Sequence, residues 1–259
     1  MKNRNGRKYI VANWKMNPDS LWEAKFFFTE IKKIARVLPR VTTVVCPPAV
    51  YLEALTGSYN QNRITLGAQD VSTEERGSFT GEVSAAMFQK IGAKYVIVGH
   101  SERRGRGETD SEVQKKVLAC LRHNLAPILC IGEKQRDADG THLAFIKNEL
   151  KEDLAKVTYK ELQKIVIAYE PIWAIGKKDT EAMSPPQIEE MLIFIRKELT
   201  DLYRGASMKN VRILYGGSVS VRNAESMLEN SSIDGFLIGN QSLKPDGFCQ
   251  ILKYAHASR

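Results

Sequence analysis

No two cysteines of this chain lie close enough in sequence to act together. Its four, Cys46, Cys120, Cys130 and Cys249, include no C-x-x-C pair. Zinc-ribbon, redox-pair and disulfide-framework readings therefore lack their spacing, and isolated thiols in or beside apolar runs read as reduced core residues. The four histidines, His100, His123, His142 and His256, form no H-x-x-x-H, so no metal site is expected. No apolar run approaches the roughly 20 residues of a membrane span. The basic stretch Met1 to Lys8 precedes an apolar segment too short and too polar-flanked for a secretory leader. A cytoplasmic protein with no membrane partner is the expectation. Proline-, glycine- or serine-rich linkers and low-complexity tracts are also missing, so the 259 residues are expected to form a single domain, 1–259.

One sign of charge is in short supply. Against 38 Lys and Arg stand 30 Asp and Glu, a net charge of +8. The basic residues are spread along the chain. Short clusters such as Arg103-Arg104-Gly105-Arg106 are not interleaved with aromatic residues that could stack on bases. A nucleic-acid partner is thereby disfavoured, and the surplus suits an enzyme that draws in a small anionic substrate.

What the chain does contain is regular alternation. Eight short apolar runs, at residues 9–14, 42–46, 64–68, 95–99, 127–131, 165–168, 211–215 and 235–238, read as strands buried on both faces. Their spacing averages about 32 residues, the size of one βα unit. Helix signatures lie between them. Ser20-Leu21-Trp22-Glu23 is a capping-box pattern followed by Leu21, Ala24, Phe28, Ile31, Ala35 and Leu38 on one face. Thr109 to Glu112 repeats the pattern, and Ser184-Pro185-Pro186-Gln187 adds proline at the first helical position. Eight such units predict an α/β fold, a closed (β/α)8 barrel, with an open doubly wound sheet as the fallback if one strand is false.

Barrels of this type carry chemistry at the C-terminal ends of their strands. Asn13 and Lys15 follow the first strand, His100 and Glu102 the fourth, and Glu170 the sixth. Gly216-Gly217-Ser218 follows the seventh and Gly239-Asn240 the eighth. Taken singly, each has a plain structural role: a solvated lysine, a satisfied histidine, an ion-paired glutamate, a simple turn. Their shared position on one rim favours a site. Glu170 is the most suggestive, because Pro171 ends the strand ladder behind it and the polar stretch beyond Trp173 is long enough to move.

These residues closely resemble the triosephosphate isomerase family. The resemblance is carried by Ala12-Asn13-Trp14-Lys15-Met16-Asn17, Gly67-Ala68-Gln69-Asp70, Phe79-Thr80-Gly81-Glu82 and Gly99-His100-Ser101-Glu102-Arg103-Arg104. It continues through Gly107-Glu108-Thr109-Asp110, Cys130-Ile131-Gly132-Glu133, the stretch from Ala168 to Gly176, and Tyr215-Gly216-Gly217-Ser218-Val219, all in family order. It implies cofactor-independent interconversion of dihydroxyacetone phosphate and D-glyceraldehyde 3-phosphate through an enediolate. By the same resemblance Glu170 is the base, His100 the electrophile and Lys15 the cation for oxyanion and phosphate. Asn13 is then a donor to the substrate, and Glu102 a buried carboxylate bonded to Lys15 and His100. A neutral histidine beside a glutamate base is the assignment this enzyme is known for. The phosphate would rest on backbone N–H groups of Gly176, Ser218, Gly239 and Asn240. The excursion from Gln69 to Glu82 would insert into a second subunit and form a homodimer, with Thr80 near the partner's site.

Two departures from the family pattern fall where the phosphate would be gripped. The lid after Gly176 reads Lys177-Lys178-Asp179-Thr180-Glu181-Ala182-Met183, about two residues longer than usual, with Lys178 in place of a glycine. Its two lysines are expected to keep their heads in water. The usual second glycine after strand eight is Asn240, a residue that tolerates left-handed backbone better than most. A barrel enzyme acting on a larger sugar phosphate, and a non-catalytic binding protein on the same scaffold, are the competing readings. Retention of Glu170, His100, Lys15 and Asn13 together argues against the second.

Overall fold

The computed structural model describes residues 6–57, 64–137, 139–177 and 181–258. Eight parallel strands follow one another around a closed barrel: β1 (Lys8–Asn13), β2 (Val41–Cys46), β3 (Ile64–Ala68), β4 (Tyr95–Val98), β5 (Ala126–Ile131), β6 (Val166–Tyr169), β7 (Arg212–Tyr215) and β8 (Gly235–Ile238). The ladder from Tyr9↔Gly235 to Ala12↔Ile238 joins β8 to β1, which excludes the open sheet. Strand ends differ slightly from the apolar runs. β4 stops at Val98 because Gly99 turns into the left-handed region at φ 71°. β6 lies one residue further along than its run suggested, so that Glu170 follows it directly.

The helices cover the outside of this barrel. They are α1 (Leu21–Ala35), α2 (Ala49–Thr56), α3 (Ala85–Lys90), α4 (Ser101–Arg104), α5 (Asp110–Arg122), α6 (Thr141–Asp153), α7 (Tyr159–Leu162), α8 (Pro185–Leu202), α9 (Val221–Asn230) and α10 (Pro245–Ala257). Ser20 caps α1 by accepting the Glu23 N–H at 3.2 Å. Thr109 closes a full reciprocal box with Glu112 on α5. The expected apolar face of α1 is buried at Ala24, Phe28, Ile31 and Ala35, and Leu38 is buried just beyond it. Leu21 stays exposed because it opens the helix ahead of the packed turns.

Strand alternation divides the core in two. Val11, Val44, Cys46, Ile97, Ile128, Cys130, Val166, Ala168, Leu214 and Leu237 fill the lumen. Ile10, Ala12, Val45, Leu66, Leu129, Ile131, Ile167, Tyr169, Ile213 and Tyr215 point outward into the layer under the helices. Counting on in twos past the strand ends sets the mouth. Val11 leads to Asn13, Ala168 leads to Glu170, Leu214 to Gly216, and Leu237 to Gly239. Period two thus delivers four strands' worth of site residues to one opening before any loop is considered.

Candidate active site

The opening is a cleft of about 110 Å³. Asn13, Lys15, His100 and Glu170 line it together with Ile175, Gly176, Ser218, Gly239 and Asn240. Every site residue expected from the sequence lines it except Glu102, which is joined to it through Lys15. Among the described residues no group of three or more His, Cys, Asp or Glu side chains could hold a metal ion.

Glu170 is buried, 2% exposed, and its carboxylate is nonetheless held by donors. Oε2 accepts the Ser101 N–H at 3.0 Å, and Oε1 lies 3.2 Å from His100 Nε2. His100 caps α4, and its Nδ1 accepts the Glu102 N–H at 3.2 Å. A nitrogen that accepts carries no proton, so the ring proton sits on Nε2 and faces the cleft. A buried carboxylate beside a donating imidazole is a base beside an acid. The sulfur of Cys130, behind them, is pushed far up by burial first and by the Glu170 charge second, so it remains a thiol and takes no part.

Lys15 stands in the left-handed region at φ 54°, an arrangement that costs an L-residue roughly 1–2 kcal/mol. Neighbours hold it there. Its N–H donates to Asn13 Oδ1 at 3.1 Å, and its carbonyl accepts from Gln69 Nε2 at 2.8 Å. Gln69 Nε2 also donates to Cys46 O at 2.8 Å, so it ties β2 to the loop after β1. The ammonium pairs with Glu102 Oε1 at 2.6 Å. Partial burial raises the Glu102 pKa, but the Lys15 hydrogen bond and charge, with His100, outweigh this and leave it below the usual carboxylate range. The expectation of a buried Glu102 is corrected: its side chain is 56% exposed, because the first turn of α4 stands on the rim with nothing of the described chain above it. Its contact with His100 is correspondingly loose, 3.8 Å to Nδ1.

On the far wall Gly176 is left-handed at φ 71°. Ser218 Oγ donates to Lys177 O at 2.9 Å, so the arm of the lid leans on the turn after β7. Gly239 leads into a 3₁₀ turn, Asn240–Leu243. Asn240 is not among the residues with positive φ, so its tolerance of left-handed backbone is not called upon. A Cβ at Gly239 would stand 3.3 Å from Lys15 Cε, so a side chain there would press the lysine aside by a few tenths of an ångström. The Lys177 side chain is half exposed, its Nζ 4.0 Å from Glu181, as expected of a tip lysine. Lys178, Asp179 and Thr180 lie outside the described residues.

Sequence reasoning passed over two supporting sets. Gln69 is one; it stands in the Gly67-Ala68-Gln69-Asp70 motif directly after a strand, but nothing in the sequence assigns it a role in the site. The other is at the root of the lid. Glu133 Oε1 accepts from Tyr169 Oη at 2.8 Å, Trp173 Nε1 at 2.9 Å and Arg136 Nε at 3.0 Å. Arg136 also stacks over the Trp173 ring at 5.6 Å. The segment Pro171-Ile172-Trp173 that follows Glu170 is thus anchored on the loop after β5.

Gly132 marks the tightest approach in the site. A Cβ there would lie 1.7 Å from the Glu170 carbonyl oxygen, a backbone atom that cannot rotate aside. Gly132→Ala is therefore expected to part β5 from β6 at their ends, lower stability by about 3 kcal/mol or more, and displace Glu170. Thermal melting together with kcat would check this. An unchanged melting temperature would show that the strand ends are not in contact.

Comparison with known proteins adds independent findings. Residues 8–255 match the family model described as triosephosphate isomerase. The triosephosphate isomerase of Gloeothece citriformis is 44% identical over 252 residues, covering 96% of this chain and 99% of its own. That of Clostridium novyi is 41% identical over 252 residues, with the same coverage of 96% and 99%. The crystal structure of triosephosphate isomerase from Bartonella henselae superposes with a TM-score of 0.83 at 31% identity, covering 96% of this chain and 98% of that one.

Proposed function

The chain belongs to the triosephosphate isomerase family and has its isomerase activity, and on that premise we propose how its own residues interconvert dihydroxyacetone phosphate and D-glyceraldehyde 3-phosphate. Glu170 removes a proton from the carbon beside the carbonyl and returns it to the neighbouring carbon. His100 Nε2–H donates to the carbonyl oxygen as it gains charge, and Lys15 stabilises the enediolate and the phosphate together. Asn13 adds a polar contact to the substrate. Glu102 holds the Lys15 ammonium on the rim. Backbone N–H groups of Gly176, Ser218, Gly239 and Asn240 receive the phosphate, and the lid from Pro171 to about Met183 closes over it to exclude water. The observation that carries this reading is the 3.2 Å approach of Glu170 Oε1 to His100 Nε2 inside a cleft that also holds Lys15. The same approach implies a step: Glu170 must leave the Ser101 N–H to reach a substrate carbon. The small volume favours a three-carbon phosphate over a larger sugar. A coupled assay of the purified protein with D-glyceraldehyde 3-phosphate tests the reading, and absence of turnover would reject it.

We read the whole chain as one cytoplasmic catalytic domain that works as a homodimer. The supporting features lie on the excursion after β3. Asp70 is rooted on Lys116 at 2.6 Å and Arg103 at 2.8 Å, and Glu75 on Arg122 at 3.0 Å. Phe79 is 47% exposed at the far end, and Met16, after β1 on the same rim, is 91% exposed. An arm firmly rooted and apolar at its tip suits insertion into a second copy. Light scattering at micromolar concentration is expected to give twice the chain mass of 29.1 kDa. A fully active monomer would refute the arrangement.

A further inference from the structure

Behind the barrel mouth, on the side away from the cleft, lies a buried ionic cluster for which the reaction scheme has no use. Arg104, the last residue of α4, turns inward. Its Nε donates to Gly99 O at 2.8 Å and one terminal nitrogen to Cys130 O at 3.2 Å. The guanidinium meets Asp153 at 2.5 Å, Asp110 at 2.6 Å and Glu149 at 3.6 Å. Glu149 then uses Oε2 to accept the Gly132 N–H at 2.8 Å. Asp153 and Glu149 lie one turn apart on α6 and are 0% and 3% exposed.

The backbone groups gripped here are neighbours of the reacting side chains. Gly99 precedes His100. Cys130 and Gly132 belong to the end of β5, where Gly132 abuts the Glu170 carbonyl. Fold maintenance alone does not call for two buried acids on one guanidinium, since desolvating the second acid costs more than a hydrophobic replacement would. Asp153 Oδ1 has no hydrogen-bond partner among the described residues. We infer that Glu149 and Asp153 are positioning residues for the isomerisation, acting through Arg104 and Gly132 to hold the His100 turn and the end of β5 in register with Glu170. The inference rests on the roles proposed above for His100 and Glu170.

Charge supplies a signature. The groups facing the pair are Arg104 from α4, Asp110 from α5 and Glu133 from the loop after β5. Burial pushes both acids well above the usual carboxylate range, against the pull of Arg104. The pair therefore keeps a proton at pH values where surface carboxylates have lost theirs, and gives it up as pH rises through neutrality.

The test uses isosteric variants, Asp153→Asn and Glu149→Gln, with Arg104→Lys, which keeps the charge and loses the planar fork. Each is expected to lower kcat by about tenfold, the scale of a sub-ångström misplacement. KM for D-glyceraldehyde 3-phosphate and the inhibition constant of 2-phosphoglycolate should stay within about twofold. The Asp153→Asn effect should largely vanish in the Arg104→Lys background, because the two act in series. In substrate-free protein the backbone ¹⁵N resonance of Gly132, whose N–H donates to Glu149 Oε2, should shift with pH through neutrality, and that shift should be lost in Glu149→Gln/Asp153→Asn. Unchanged kcat with a lowered melting temperature would reduce the cluster to scaffolding, and a rise in KM at constant kcat would overturn the positioning role. If wild-type protein fails to turn over the substrate, the proposed reaction falls, while the Gly132 resonance still decides this inference. If Arg104→Lys does not fold, the two isosteric variants carry the test.

Discussion

Glu170→Asp is expected to lower kcat by about a hundredfold or more while leaving KM near its wild-type value. The substitution removes one methylene and draws the carboxylate back by roughly one C–C bond, about 1.5 Å. A displacement of that size is enough to cost about 10²-fold when a proton must pass between fixed partners. The pocket cannot slide the backbone forward to compensate. The Glu170 N–H is bound to Ile131 O at 2.8 Å, and Gly216 lies so close that a Cβ there would stand 2.9 Å from Glu170 Cγ. In the proposed scheme substrate binding rests on Lys15 and the far wall, which the change does not touch. Steady-state assays of wild-type protein and Glu170→Asp in the same buffer decide the point. A near-normal kcat would remove Glu170 as the base.

Lys15→Met should abolish both turnover and inhibitor binding. Methionine keeps an apolar stem and deletes the ammonium. Loss of a preorganised charge at the point where an oxyanion develops typically costs about 10²–10³ in kcat, and in the proposed scheme the same charge also serves the phosphate. Folding should be little affected. The Glu102 carboxylate that loses its partner is more than half exposed and can be hydrated, and an exposed pair contributes about 0–1 kcal/mol. A melting temperature close to wild type, with 2-phosphoglycolate affinity lost, is the expected pair of results. Retained inhibitor affinity would place Lys15 outside the site.

Much of this site was legible in the sequence because its residues are addressed by strand order. A run of apolar residues followed by a charged or glycine-bearing turn, repeated eight times, gives both the barrel and the rim on which Asn13, Lys15, His100, Glu170 and Gly239 must fall. Less legible was anything set by long-range packing. Glu102 was expected to be buried, and its exposure depends on what stands above α4. Gln69 had no periodic signature, and its role appears only when the ends of β1 and β2 are side by side. The Arg104 cluster was invisible for the same reason: Glu149 and Asp153 look like the solvated face of a helix until α6 is laid against α4 and the strand ends. Lys15 read as an ordinary loop lysine by type, yet it occupies a conformation usually left to glycine, which no sequence pattern announces.

The counting rule in the strands has a consequence for how such a chain can change length over evolutionary time. Glu170 faces the mouth because it is an even number of residues beyond Val166 and Ala168, which are fixed in the lumen. One residue inserted within β6 would exchange its two faces, placing the carboxylate under the helices and Tyr169's ring in the opening. The same holds for Asn13 counted from Val11. Insertions and deletions are therefore confined to the stretches between the strands, and the site can drift in loop length, but not in the parity of its strands.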